Sequence, residues 1–116
     1  MDVRVETHGE ISVLKPAGRL DGPGAKKFRH AASSLGASGK APLAVDLSET
    51  TALLASGVEA LHWLAVQRRE VGVKLAIVGC SASSRKLLDA SGLTAIVPVG
   101  ASLADARAVL QANRRP

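Results

Sequence analysis

Apolar and charged residues alternate at the start of the chain: Val3 and Val5 between Asp2, Arg4 and Glu6, then Ile11 and Val13 between Glu10 and Ser12. A period of two predicts two strands. Thr7-His8-Gly9 between them is a hairpin-sized connection. The second strand stops near Pro16-Ala17-Gly18. From about Gly24 to Leu35 the pattern changes. Ala25, Phe28, Ala31, Ala32 and Leu35 recur at spacings of three and four, which predicts a helix. Gly36 and the Ala-Ser-Gly-Lys-Ala-Pro stretch after it end that helix.

Leu43 to Leu47 carries one charge, Asp46, and reads as a short strand buried on both faces. Ser48 to Ala55 reads as a loop. A helix follows from about Ser56 to Glu70, closed by Gly72. Val73 to Val78 is another buried strand, Ser81 to Ala90 a helix with a serine at its cap, and Ala95 to Val99 the last strand. Leu103 to Leu110 is a terminal helix, followed by a fraying Arg114-Arg115-Pro116 tail. The order β-β-α-β-α-β-α-β-α predicts one α/β domain with a mixed, mostly parallel sheet and right-handed crossovers. The 116 residues fit a single domain, 1–116, with its core at about 3–110.

Composition narrows the function. With 47% apolar and only 2% aromatic residues, the core consists of Val, Leu, Ile and Ala. The net charge of +5 is dispersed over small groups: Lys26, Lys27 and Arg29; Arg68 and Arg69; Arg85 and Lys86; Arg114 and Arg115. Read together, they are a solvated surface, or one that meets an acidic partner. The scarcity of aromatic residues removes the stacking platform of a single-strand binder, so no nucleic acid is expected. Cys80 is the only cysteine, which rules out an internal disulfide and suits a reducing compartment. No apolar run approaches a membrane span, and the N-terminus does not resemble a signal peptide. A soluble, cytoplasmic monomer or weak dimer is the expectation.

No catalytic, metal or cofactor constellation emerges. His8, His30 and His62 lack partners at metal-ligand spacing. Gly22-Pro23-Gly24 is not followed by the Gly-Lys-Ser of a phosphate loop. Asp21 and Asp46, at strand ends, are a weak carboxylate pair. The expectation is a protein that is not an enzyme and has no cofactor.

Three short motifs carry a resemblance. Ala17-Gly18-Arg19-Leu20-Asp21 resembles the Gly-x-Leu-Asp that ends the second strand of STAS domains. Val45-Asp46-Leu47-Ser48 resembles their third strand, and Ser91-Gly92-Leu93 their Ser-Gly-Leu after the third helix. The similarity spans roughly residues 3 to 110 and is to the anti-sigma factor antagonist type. That resemblance implies a regulator that docks on a kinase-like anti-sigma factor, which in turn phosphorylates a serine in Asp-Ser-Ser-Gly at the start of the second helix. Here the matching stretch is Leu54-Ala55-Ser56-Gly57, so the phosphorylation motif is degenerate: Leu54 replaces the Asp and Ala55 the serine.

Ser56 is then either a helix cap or a displaced phosphoacceptor favoured by the helix dipole. At about 100° per residue, Val58, Leu61, Leu64 and Ala65 face the sheet. Ser56, Glu59, Trp63 and Val66 face away from it. Trp63 on that arc is an anchor for a partner, unless it packs on the third helix or under a loop. Asp21 belongs beside Ser56 at the sheet's carboxyl edge, or is a loop cap or a surface charge. The expected partner-binding set is Asp21, Leu54, Ala55, Ser56, Gly57, Glu59 and Trp63. The alternative role, also implied by the resemblance, is a STAS subunit of a transporter complex pressed against a cytoplasmic ATPase. A sensor holding an anion or nucleotide at the same helix start is a third.

Overall fold

The computed structural model describes residues 2–36 and 41–111. The expected tail and most of the turn at 37–42 lie outside them. Two strands open the chain, β1 (Asp2–His8) and β2 (Ile11–Leu20), followed by α1 (Gly22–Gly36). Next come β3 (Leu43–Asp46), β4 (Thr50–Leu53), α2 (Ala55–Glu70), β5 (Leu75–Val78) and α3 (Ala82–Ser91). A 3₁₀ turn at Leu93–Ala95, β6 (Val99–Gly100) and α4 (Leu103–Gln111) complete the fold.

Among the described residues the sheet has six strands in the order β1-β2-β3-β5-β6, with β4 pairing β2 off that path. Only β1 and β2 run antiparallel; the other pairings are parallel. The expected mixed, mostly parallel α/β sheet is therefore present. Two segments differ from the sequence reading. Ser48 to Ala55 is not a plain loop, because β4 lies within it. Ala95 to Val99 is not one strand: it divides between the 3₁₀ turn and the two-residue β6.

The alternation of side chains across the sheet produces two cores. Leu14, Leu20, Leu43, Val45 and Ile77 point to one face, where α1, α2 and α3 cover them with Phe28, Leu61, Leu64 and Leu88. Ile11, Val13, Ala44, Ala76 and Val78 point to the other, under Ala106 and Leu110 of α4. Three of those seven are alanines, and with such short side chains α4 lies close to the strands. Phe28 is the one phenylalanine and is fully buried in the larger core.

Helix ends follow local chemistry. The Asp21 carboxylate accepts the Gly24 amide at 3.0 Å at the start of α1. Ser81 accepts the Ser84 amide at 3.1 Å at the start of α3, as its position predicts. Gly92 ends α3 in the left-handed conformation, φ 85°, which a residue with a side chain adopts only with strain. Arg68 departs from the expectation of a solvated charge. It is only 4% exposed, and it donates to the Ala32 carbonyl oxygen of α1 at 3.0 Å and to Gln67 Oε1 at 3.2 Å. Burial pushes its pKa down.

Phe28→Ala removes the largest fully buried side chain of the core and leaves a cavity. It is expected to destabilise the fold by about 3–5 kcal/mol, read as a shift of the urea unfolding midpoint at unchanged slope.

Candidate functional site

The start of α2 is placed by β2. The first half of β2, Ser12–Leu14, pairs with β3. Its second half, from Gly18 to Leu20, pairs with β4, with a register shift after Gly18 at φ 104°. Further bonds hold the segment before and after β4 to β2. The Gly18 amide donates to the Glu49 carbonyl oxygen at 3.0 Å, and the Thr50 hydroxyl donates to the Pro16 carbonyl oxygen at 2.9 Å. The Leu54 amide then donates to the Leu20 carbonyl oxygen at 3.2 Å. The chain therefore enters α2 directly over the end of β2.

Gly57 makes that entry sterically possible. A Cβ on Gly57 would stand 2.5 Å from the Leu20 carbonyl oxygen, 2.8 Å from Leu20 Cγ and 2.9 Å from Leu53 Cδ1. No side chain fits there without moving backbone. The Gly of the Ser-Gly pair is thus a buried packing residue, as is Val58 after it, while Leu54, Ala55 and Glu59 face outward.

Leu54 is the N-cap of α2, with extended backbone and no side-chain hydrogen bond to the helix amides. Ser56 is therefore not the cap; the helix begins a residue earlier than expected, at Ala55. Ser56 is half-buried, whereas Ala55 and Glu59 are exposed and Leu54 is 37% exposed. A leucine, an alanine and a glutamate thus present themselves to solvent around Ser56.

Trp63 is not the free outward anchor that the helical projection suggests. It is half-buried and packs in part against the larger core. Its remaining surface lines a shallow depression with Glu59, His62, Val66, Gln67 and Glu70. The outermost apolar side chain of that arc is Val66, 51% exposed. His62 lies 3.3 Å from the Ser91 hydroxyl, which links α2 to the end of α3.

Asp21 follows Leu20 and so sits one residue from the Gly57 contact. Its carboxylate serves as the cap of α1, with Arg19 Nε at 3.5 Å. The Gly24 amide holds its pKa below the ordinary 3.8. The cap alternative is thus realised in its geometry. Asp46 is engaged separately, accepting the Ser48 amide at 2.9 Å and lying 3.7 Å from Lys15 Nζ. The two carboxylates are each spent on their own turn. Cys80 is half-buried against the core, and burial pushes its thiol pKa up, away from reactive thiolate. No group of three or more His, Cys, Asp or Glu residues suited to a metal occurs among the described residues. Nor does any described helix have the length and apolarity to cross a membrane.

The arrangement is that of a single α/β domain with a mixed, mostly parallel sheet. A family profile described as "Mlab, STAS domain" matches residues 3–98. The chain belongs to the STAS domain family. No curated protein sequence matches it. Solved structures share the fold. An anti-sigma factor antagonist from Mycobacterium paratuberculosis superposes with a TM-score of 0.83 at 23% identity, covering 95% of this chain and 93% of that one. The phosphorylated Bacillus cell fate determinant SpoIIAA gives 0.70 at 17% identity, covering 93% and 99%. The STAS domain of a SulP transporter from Vibrio cholerae gives 0.71 at 19% identity, covering 93% and 89%.

Two measurements test this geometry. Gly57→Ala improves helix propensity, yet it is expected to destabilise the protein by about 1–3 kcal/mol because the new methyl meets the Leu20 backbone. Asp21→Asn keeps a capping side chain and removes its charge. Because the folded pKa of Asp21 is depressed, its charge contributes stability above the unfolded value that is lost as pH falls through the folded one. The advantage of wild type over Asp21→Asn in urea unfolding is therefore expected to hold at neutral pH and to vanish as pH is lowered through and below 3.8.

Proposed function

We propose that this chain is a non-enzymatic regulatory domain that binds a kinase-like anti-sigma factor through the start of α2, and that it does so without the phosphorylation switch. The observation that carries this reading is the exposed Leu54-Ala55 pair at a helix start held rigidly over β2. Those two positions are where the resemblance places the Asp and the phosphorylated serine. Alanine has no oxygen to accept a phosphoryl group. Leu54, Ala55 and Glu59, with the half-buried Ser56 and Trp63, form the docking face. Gly57 and Asp21 position it, Gly57 by close packing and Asp21 by capping α1 beside it.

Binding energy at such a face concentrates in a few desolvated apolar side chains. Leu54 is the best placed, since it projects from the cap and spends nothing on the helix. Without a phosphoacceptor the domain stays competent to bind whatever the activity of the kinase.

A second reading has its own support. The chain shares its fold with the STAS domain of a SulP transporter, and a transporter subunit has no need of a phosphoacceptor. In that case the same face presses against a cytoplasmic ATPase.

Titration calorimetry against the kinase-like anti-sigma factors of the host separates the two. Binding is expected to be the same with and without prior incubation with ATP, and no phosphate is incorporated at Ser56 or elsewhere. Leu54→Asp together with Ala55→Ser restores the Asp-Ser pair. That variant is expected to take up phosphate and then to lose affinity by about tenfold or more, a like-charge and desolvation effect. Absence of binding to every such kinase, with binding to a transporter ATPase instead, would sink the first reading and establish the second.

A further inference from the structure

At the far end of α2 from Leu54, the domain carries a second surface with a different character. Ala65, Val73 and Val97 floor a groove of about 540 Å³ between the end of α2, the start of β5 and the segment after the 3₁₀ turn. Val66 and Ile96 form its walls, and they are 51% and 47% exposed. Arg69 and Lys74 stand on its rim, both exposed, and neither makes an ion pair among the described residues. No carboxylate lines the groove. Large apolar side chains left open to water beside two uncompensated cations are the composition of an interaction site.

We propose that this groove binds an acidic amphipathic segment of a partner protein, with apolar side chains seated on Val66, Ile96 and Val97 and carboxylates meeting Arg69 and Lys74. Charge selects this occupant over the others. A second copy of the chain meeting the same face would set Arg69 and Lys74 against their own counterparts, in a protein whose net charge is +5. The chain's own terminal residues, which continue from Leu110 at the groove's edge, carry Arg114 and Arg115 and are of the same sign. A lipid surface suits apolar side chains that protrude, whereas Val97 and Val73 lie recessed, 3% and 6% exposed. The groove's lining includes none of the residues assigned to the Leu54 face, although Val66 also borders the depression beside Trp63.

The test places a photoactivated cross-linking side chain at Ile96 of the full chain and irradiates it in host cells. A second chain carrying the group at Glu59 reports the Leu54 face separately. The segment joined to position 96 is sequenced by mass spectrometry, synthesised with a fluorescent label and titrated against the unmodified protein. The expected segment carries two or more Asp or Glu residues among apolar ones. Its affinity is expected to fall by about tenfold or more in Arg69→Glu/Lys74→Glu, and to recover when the peptide's carboxylates are exchanged for lysines. Raised salt weakens it in the same direction. Both substitutions lie on exposed side chains, and a urea midpoint equal to wild type shows that the variant folds. Capture of lipid, of a second copy, or of a segment without carboxylates overturns the proposal. So does the absence of any product at Ile96, whatever the Glu59 chain captures.

Discussion

The approach of α2 to the end of β2 sets the geometry of everything that follows. Backbone meets backbone there, with the Leu20 carbonyl oxygen against Gly57 and the Leu54 amide bonded to that same oxygen. Contacts of this kind have no side chain to relax, so the helix start has one position. Leu20 is itself fully buried, and Asp21, next in the chain, caps α1. A single turn of backbone thus fixes the starts of two helices. The proposed docking face inherits its placement from that turn and not from the residues that display themselves on it.

β2 achieves this by changing partners along its length. Ten residues long, it pairs with β3 near its start and with β4 near its end. The register shift after Gly18 frees its last residues from the path of the main sheet. Without β4 on the second half, α2 would have no reason to begin where it does. The sheet's two faces then divide the work. Branched residues and Phe28 build a thick core under α1, α2 and α3, while alanines on the other face let α4 close the domain.

Most of this was legible in the sequence because its periodicities are strong. The alternation in β1 and β2, the three-and-four spacing around Phe28 and the apolar runs of β3 and β5 each reflect burial that the residue types state directly. β4 escaped because Thr50-Thr51-Ala52-Leu53 has little hydrophobic pattern; it exists through hydrogen bonds to β2 that no local signal announces. Ala95 to Val99 misled for the opposite reason, since an apolar run of that length fits a strand as well as a turn in which only Val97 is buried. Trp63 shows the limit of a helical projection. An angle of 100° per residue locates the outward arc, but a ring that large reaches back from its edge to the core. Arg68 was hidden because a buried guanidinium that donates to the Ala32 carbonyl oxygen, with its Nε left unpartnered among the described residues, looks, in sequence, like any surface arginine.

The residues that carry the resemblance and the residues exposed at the start of α2 answer to different demands. Gly18 sits at the register shift, Leu20 and Leu93 are fully buried, and Asp21 and Asp46 accept backbone amides in tight turns. Ser91 accepts the Leu93 amide while donating to the Leu88 carbonyl oxygen, beside the left-handed Gly92. Each marks a place where the backbone needs that residue type, so they report fold. Leu54 and Ala55 have no such duty. A side-chain cap at Leu54 would contribute roughly 1 kcal/mol to α2, and its absence costs no more than that. Fold stability therefore makes little demand for an Asp-Ser pair at these two positions. The glycines, buried leucines and turn aspartates thus hold the scaffold under physical constraint, while Leu54 and Ala55 stand where the fold itself demands no particular side chain.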